Sequence, residues 1–142
     1  MGLKDPTKKM SKSENDYIGL LDTPEVVKEK FKKAETDSDK SNAIYYDLKD
    51  EKKKWVANLL TICALLKDKE ISEIVNEMNK LNYSDFKTKV AEIVNEKLAP
   101  IQKKYNTYLP KISGILEKNN KYMKSLAEKK ITMIKRELKM QC

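Results

Sequence analysis

Apolar and polar positions fall into helical periods from about residue 23 onward, and residues 1–22 show no sustained period. That opening stretch carries Pro6, a serine pair and clustered lysines before Tyr17-Ile18-Gly19-Leu20-Leu21. It reads as a mobile loop leading to a first packing contact. Thr23-Pro24-Glu25 then predicts a helix start. A hydroxyl caps, a proline sits where no amide hydrogen is needed, and an acid lies near the positive helix end. This helix is expected to reach about Ala34, and residues 35–52, with the Thr36-Asp37-Ser38 cluster, read as a connecting loop.

From Trp55 to Leu66 the chain is almost wholly apolar, which suits a central buried helix or a strand. Ala57 and Asn58 inside the run favour helix. Ile71, Ile74, Val75 and Met78 repeat at the spacing of a half-buried helix. Ser84 is expected to cap a long helix carrying Phe86, Val90, Ala91, Ile93, Val94, Leu98 and Ile101, kinked where Pro100 removes a hydrogen bond. Past Pro110, a short helical turn (Ile112, Ile115, Leu116) is expected to stand apart from a last helix over about residues 119–140. In that helix Tyr122, Met123, Leu126, Met133, Ile134 and Leu138 share one side. Lys121, Lys124, Lys135 and Lys139 fall within roughly 60° of each other on the opposite side, at about 100° per residue. That lysine stripe is either a solvated face or an RNA contact. The pattern as a whole predicts an all-α chain, a helical bundle of about five or six helices preceded by a loop.

Composition narrows the chemistry. Lys and Arg exceed Asp and Glu by eight and the isoelectric point is near 9.3, which favours a polyanionic partner. There are no histidines, which removes the commonest general base and the commonest transition-metal ligand. Cys63 lies in the apolar run and Cys142 ends the chain, so both are expected to be reduced thiols rather than a disulfide framework. No window reaches membrane-spanning length and no signal-peptide core precedes it, so the cytoplasm is expected and a membrane is not. Trp55, Tyr45, Tyr46, Tyr83, Tyr105 and Tyr108 could stack on unpaired bases or serve as packing residues.

One run carries chemistry of its own. Lys9-Met10-Ser11-Lys12-Ser13 follows Asp5-Pro6-Thr7-Lys8. In that setting the sequence closely resembles bacterial tryptophanyl-tRNA synthetases, whose class I signature loop it reproduces. The resemblance continues through Leu20-Leu21-Asp22, Lys33-Ala34, Thr36-Asp37-Ser38 and Asn58-Leu59-Leu60. It then covers Tyr83 to Phe86 and Leu98-Ala99-Pro100-Ile101-Gln102 with Tyr105, so that essentially the whole chain takes part. Tyrosine enzymes usually carry Phe-Gly in place of Met10-Ser11, which prefers the tryptophan branch.

The resemblance implies the C-terminal half of such an enzyme. Residues 1–22 would be the signature loop and tail end of the catalytic domain, and residues 23–142 the helical, anticodon-side tRNA-binding domain. Lys9 and Lys12 would be the catalytic pair contacting pyrophosphate. Met10, Ser11 and Ser13 would join them in holding ATP, which enters with Mg²⁺ as substrate. No metal site of the chain's own is implied. The partners would be ATP, tRNA(Trp) and a second copy in a homodimer. The family's doubly wound α/β nucleotide domain is absent from these residues, so the chain is expected to be inactive alone. The sequence departs from the family at Trp55-Val56-Ala57, where Gly-Ile-Ser usually precedes Asn58. A stand-alone basic helical RNA-binding module without catalysis is the other reading, and a helical scaffold a third.

Overall fold

The computed structural model describes residues 1–35 and 43–139. The Thr36-Asp37-Ser38 cluster and Cys142 lie outside them, while the last helix, expected to reach about residue 140, ends at Glu137, after which Lys139 turns left-handed at φ 53°. Five α-helices follow the opening loop: α1 (Pro24–Lys32), α2 (Lys54–Lys67), α3 (Ile71–Met78), α4 (Tyr83–Tyr108) and α5 (Ile112–Glu137). Short 3₁₀ turns occupy Glu51–Lys53 and Leu109–Lys111. Among the described residues the only strand-like pairing is an isolated bridge between Ser11 and Asp16, so the chain is all-helical as its periodicity predicts. It divides into two compact units, Met1–Gln102 and Lys103–Cys142.

The first unit holds the core. Thr23 caps α1, its hydroxyl accepting the Val26 amide at 3.4 Å, and the helix turns Val27 and Phe31 inward. The apolar run forms α2, which buries Trp55, Val56, Ala57, Leu59, Leu60, Cys63 and Ala64. It ends where Asp68 turns left-handed at φ 54°. The lysines on either side of that turn, Lys67 at 2.9 Å and Lys69, close on Glu77 of α3. Helix α3 buries Ile74 and Met78, two of the four positions its spacing marks.

Helix α4 is capped two residues earlier than expected. Asn82, not Ser84, accepts the Asp85 amide at 2.9 Å, and Asp85 accepts the Asn82 side-chain amide in return at 2.8 Å. That reciprocal pair satisfies a free helix-end donor, whereas Ser84 lies inside the first turn. The helix continues through Pro100 to Tyr108.

Trp55 and Tyr83, candidates for base stacking, are core residues instead. They meet edge to face with ring centroids 4.8 Å apart, and Phe86 lies 6.2 Å from Trp55. Two lysines come inside with them. Lys53 donates to the Ala43 carbonyl at 3.0 Å and to the Tyr83 hydroxyl oxygen at 2.6 Å. Lys87 donates to the Ala34 carbonyl at 2.7 Å with its ammonium 5.4 Å from the centre of the Trp55 ring. Burial pulls the Lys87 amine below its ordinary pKa. The Cys63 thiol is likewise buried, which pushes it up to about 12 and leaves it an unreactive thiol.

The second unit differs in kind. A 3₁₀ turn containing Pro110 leads directly into α5, which runs unbroken from Ile112 to Glu137. The expected gap between Ile112–Leu116 and a later helix does not exist: Pro110 is the second residue of the turn, where its missing amide hydrogen is harmless. None of the described residues of this unit is buried, and the apolar side of α5 is exposed along its length. Charge is divided as sharply. Nineteen basic residues balance nineteen acidic ones up to Gln102, and eleven face three beyond it, so the excess of eight belongs to the second unit.

Candidate functional site: the Lys9–Ser13 loop

The loop is assembled by short-range turns. Asp5 starts the first of them: its carboxylate accepts the Thr7 amide at 2.9 Å and the Thr7 hydroxyl at 2.5 Å. The Lys8 amide returns to the Asp5 carbonyl at 3.2 Å, with Pro6 at the position its fixed φ suits. The Thr7 hydroxyl, the Thr7 amide and the Lys8 ammonium 3.1 Å away together hold the Asp5 carboxyl down at about 2. A second turn follows the lysine pair: Asn15, left-handed at φ 51°, donates its amide to the Lys12 carbonyl at 3.1 Å. Between the turns, Ser11 and Ser13 face each other with hydroxyls 2.8 Å apart.

The base of the loop is fastened to the core. Leu3 is buried, so the opening stretch is anchored rather than free at its start. The Gly2 amide donates to the Lys8 carbonyl at 2.7 Å, and Ser11 and Asp16 exchange backbone hydrogen bonds at 3.3 and 3.0 Å. From α2, the Asn58 side-chain amide reaches the Gly2 carbonyl at 3.3 Å. On the outgoing side, Asp22 accepts the Gly19 amide at 2.8 Å and Lys30 of α1 at 2.6 Å. Gln102 of α4 donates to the Leu20 and Asp22 carbonyls at 3.1 and 2.9 Å.

Within this frame all five expected site residues stand together. Lys9, Met10, Lys12 and Ser13 are exposed and Ser11 is half-buried. Among the described residues neither Lys9 nor Lys12 makes an ion pair or a side-chain hydrogen bond, so both ammonium groups are free for an anion. Lys8 is engaged with Asp5 and differs from them in that respect. The sequence assigns no site role to Gly2, Asp16 or Asn58, although Asn58 takes part in the family resemblance. No local pattern marks that role, because their partners lie 5 to 56 residues away. Replacement of the usual Gly-Ile-Ser by Trp55-Val56-Ala57 leaves the Asn58 contact with the loop in place.

An exposed, doubly anchored loop with two free lysines and two hydroxyls is suited to holding a polyphosphate. The sequence pattern described as tRNA synthetases class I (W and Y) matches residues 1–99. The chain belongs to this class I tRNA synthetase family. Relatives similar to it include tryptophan–tRNA ligases. That of Malacoplasma penetrans is 42% identical over 97% of this chain and 42% of its own length. That of Bacillus anthracis is 36% identical over 94% of this chain and 41% of its own. The crystal structure of tryptophanyl-tRNA synthetase from Mycoplasma pneumoniae is similar at a TM-score of 0.61 and 27% identity, covering 99% of this chain and 43% of that one. The chain therefore spans about two fifths of the length of these relatives.

Proposed function

We propose that this chain is the C-terminal portion of a tryptophan–tRNA ligase. Residues 1–22 supply the loop of the catalytic domain that contacts ATP, and residues 23–142 supply helices that contact tRNA(Trp). The observation that carries the reading is the pair of unpartnered lysines, Lys9 and Lys12, on a loop anchored at both ends. In amino-acid activation the substrate carboxylate attacks the α-phosphorus of ATP and pyrophosphate leaves. Charge then builds on the departing phosphates, where fixed ammonium groups and the Mg²⁺ that accompanies ATP stabilise it. Lys9 and Lys12 provide those ammonium groups. Ser11, Ser13 and the backbone at Met10 hold the nucleotide.

The loop has no nucleotide fold beside it in these residues, so two lysines alone cannot orient ATP, and the chain by itself is inactive. An exposed apolar groove of about 550 Å³ near the loop, lined by Met1, Tyr46, Leu48, Asn58, Ile62 and Leu65, agrees with a further part of the enzyme packing there. The complete enzyme is a cytoplasmic homodimer on this reading. No helix among the described residues is long and apolar enough to cross a membrane.

Tryptophan-dependent ATP–pyrophosphate exchange tests the proposal. The chain alone should give none, and supplying the nucleotide-fold portion should restore it. In the restored enzyme Lys9→Ala or Lys12→Ala should lower the rate by about 10²–10³-fold, as for loss of one transition-state donor. Exchange by the chain alone, or lysine variants with undiminished rates, would overturn the reading. The second reading, a stand-alone RNA-binding module, is favoured by one observation: the entire positive excess lies in the unit beyond Gln102. Tight, salt-sensitive tRNA binding with no exchange under any combination would select it.

A further inference from the structure

We infer that Asp16 is the positioning residue of the Lys9–Ser13 loop, a carboxylate clamp that fixes where the two catalytic lysines stand. The inference rests on the proposed reading only for what the loop is used for; the clamp itself is a matter of geometry. Asp16 is a buried carboxylate, 3% exposed, in a stretch where its neighbours Glu14 and Asn15 face solvent. A buried charge is retained only where donors compensate it. Here Oδ1 accepts two successive backbone amides, Leu3 at 2.5 Å and Lys4 at 2.8 Å. The backbone of the same residue pairs with Ser11 in both directions. One residue thus joins the chain entering the loop, the serine inside the signature and the chain leaving it.

Gly2 completes the clamp. A Cβ built there would overlap Asp16 Oδ2 and lie 2.9 Å from the Asp5 carbonyl oxygen, so the carboxylate occupies space only glycine leaves open. The Gly2 amide meanwhile holds the Lys8 carbonyl. Lys9 and Met10 are therefore suspended between two fixed points, Lys8 on one side and Ser11 on the other. Lys12 stands between Ser11 and the turn closed by Asn15. A second tie, from the Lys4 ammonium to the Glu14 carbonyl at 3.1 Å, is exposed and supports the same closure weakly.

Amide hydrogen exchange and limited trypsin digestion of the full chain test the inference without any nucleotide. In Asp16→Ala, exchange at Leu3, Lys4 and Ser11 should quicken about ten- to a hundredfold, and cleavage after Lys9 and Lys12 should quicken with it. Core amides such as those of Leu60 and Val90 should keep their rates. Asp16→Asn should restore most of the protection, because its carbonyl oxygen can still accept both amides. Gly2→Ala, which leaves the charge but crowds it, should resemble Asp16→Ala. Unchanged exchange at Leu3, Lys4 and Ser11 in Asp16→Ala would overturn the clamp. A rise spread evenly over the core would also overturn it, assigning Asp16 to general stability. Neither result depends on ATP, so failure of the clamp and failure of the ligase reading are told apart: the latter appears only in pyrophosphate exchange by the Lys9 and Lys12 variants.

Discussion

At the scale of single residues, the loop is set by side chains that serve as substitutes for backbone. Asp5 shows how. Its carboxylate takes the Thr7 amide and hydroxyl, and these hold its pKa at about 2 against an ordinary 3.8. Because the folded value is depressed, the turn's stabilisation is complete above about pH 4 and is lost as the pH falls toward 2. In Thr7→Ala the hydroxyl donor is gone, so the Asp5 titration followed by carboxyl NMR should move back up toward 3.8. A titration unmoved by that substitution would mean that the residue 7 amide and Lys8 carry the shift without the hydroxyl. The site was legible at this scale only where it is contiguous. Lys9 to Ser13 are neighbours in the chain and announce themselves, whereas Asp16 and Asn58 act on backbone groups 13 and 56 residues distant, which no local spacing encodes.

At the scale of elements, helix ends were readable where one residue type decides them and ambiguous where two compete. Thr23-Pro24-Glu25 leaves little choice, and α1 begins there. Asn82 and Ser84 are both able to cap, and only the second bond, which Asn82 donates to the Asp85 carboxylate, selects Asn82. Asn82→Ala should therefore destabilise the chain by about 1 kcal/mol in urea unfolding, while Ser84→Ala should cost a few tenths at most. Equal losses from the two would contradict the assigned cap. Pro110 was legible as a break but not as to its kind, since a proline can end a helix or open the next one. The apolar run of α2 was legible as buried; that Trp55 would meet Tyr83 and lie under Lys87 depends on the approach of α4.

For the molecule as a whole, the separation of charge from core is the main organising fact. The unit that buries the apolar residues is electrically balanced, and the unit that carries the excess buries nothing among its described residues. If the chain binds tRNA as proposed, phosphate contacts should concentrate on α5 and the turn that follows it. Replacing Lys121, Lys124, Lys135 and Lys139 together by glutamine should lower the slope of log affinity against log salt by about 3, with little change in thermal stability. A slope that stays the same would exclude this lysine stripe as the RNA contact. The sequence made the total charge plain; its confinement to one unit emerged only when the structure placed the division after Gln102.

The packing of Trp55 has a practical consequence. It is the single tryptophan of the chain, buried beside Tyr83 and Phe86. Its fluorescence is thus a built-in optical reporter of the first unit, emitting from an apolar setting when folded and shifting to longer wavelengths once water reaches the indole. Unfolding of the capped-helix variants can be followed by that light without a label. The same ring sets a background against which the emission of added free tryptophan would have to be read.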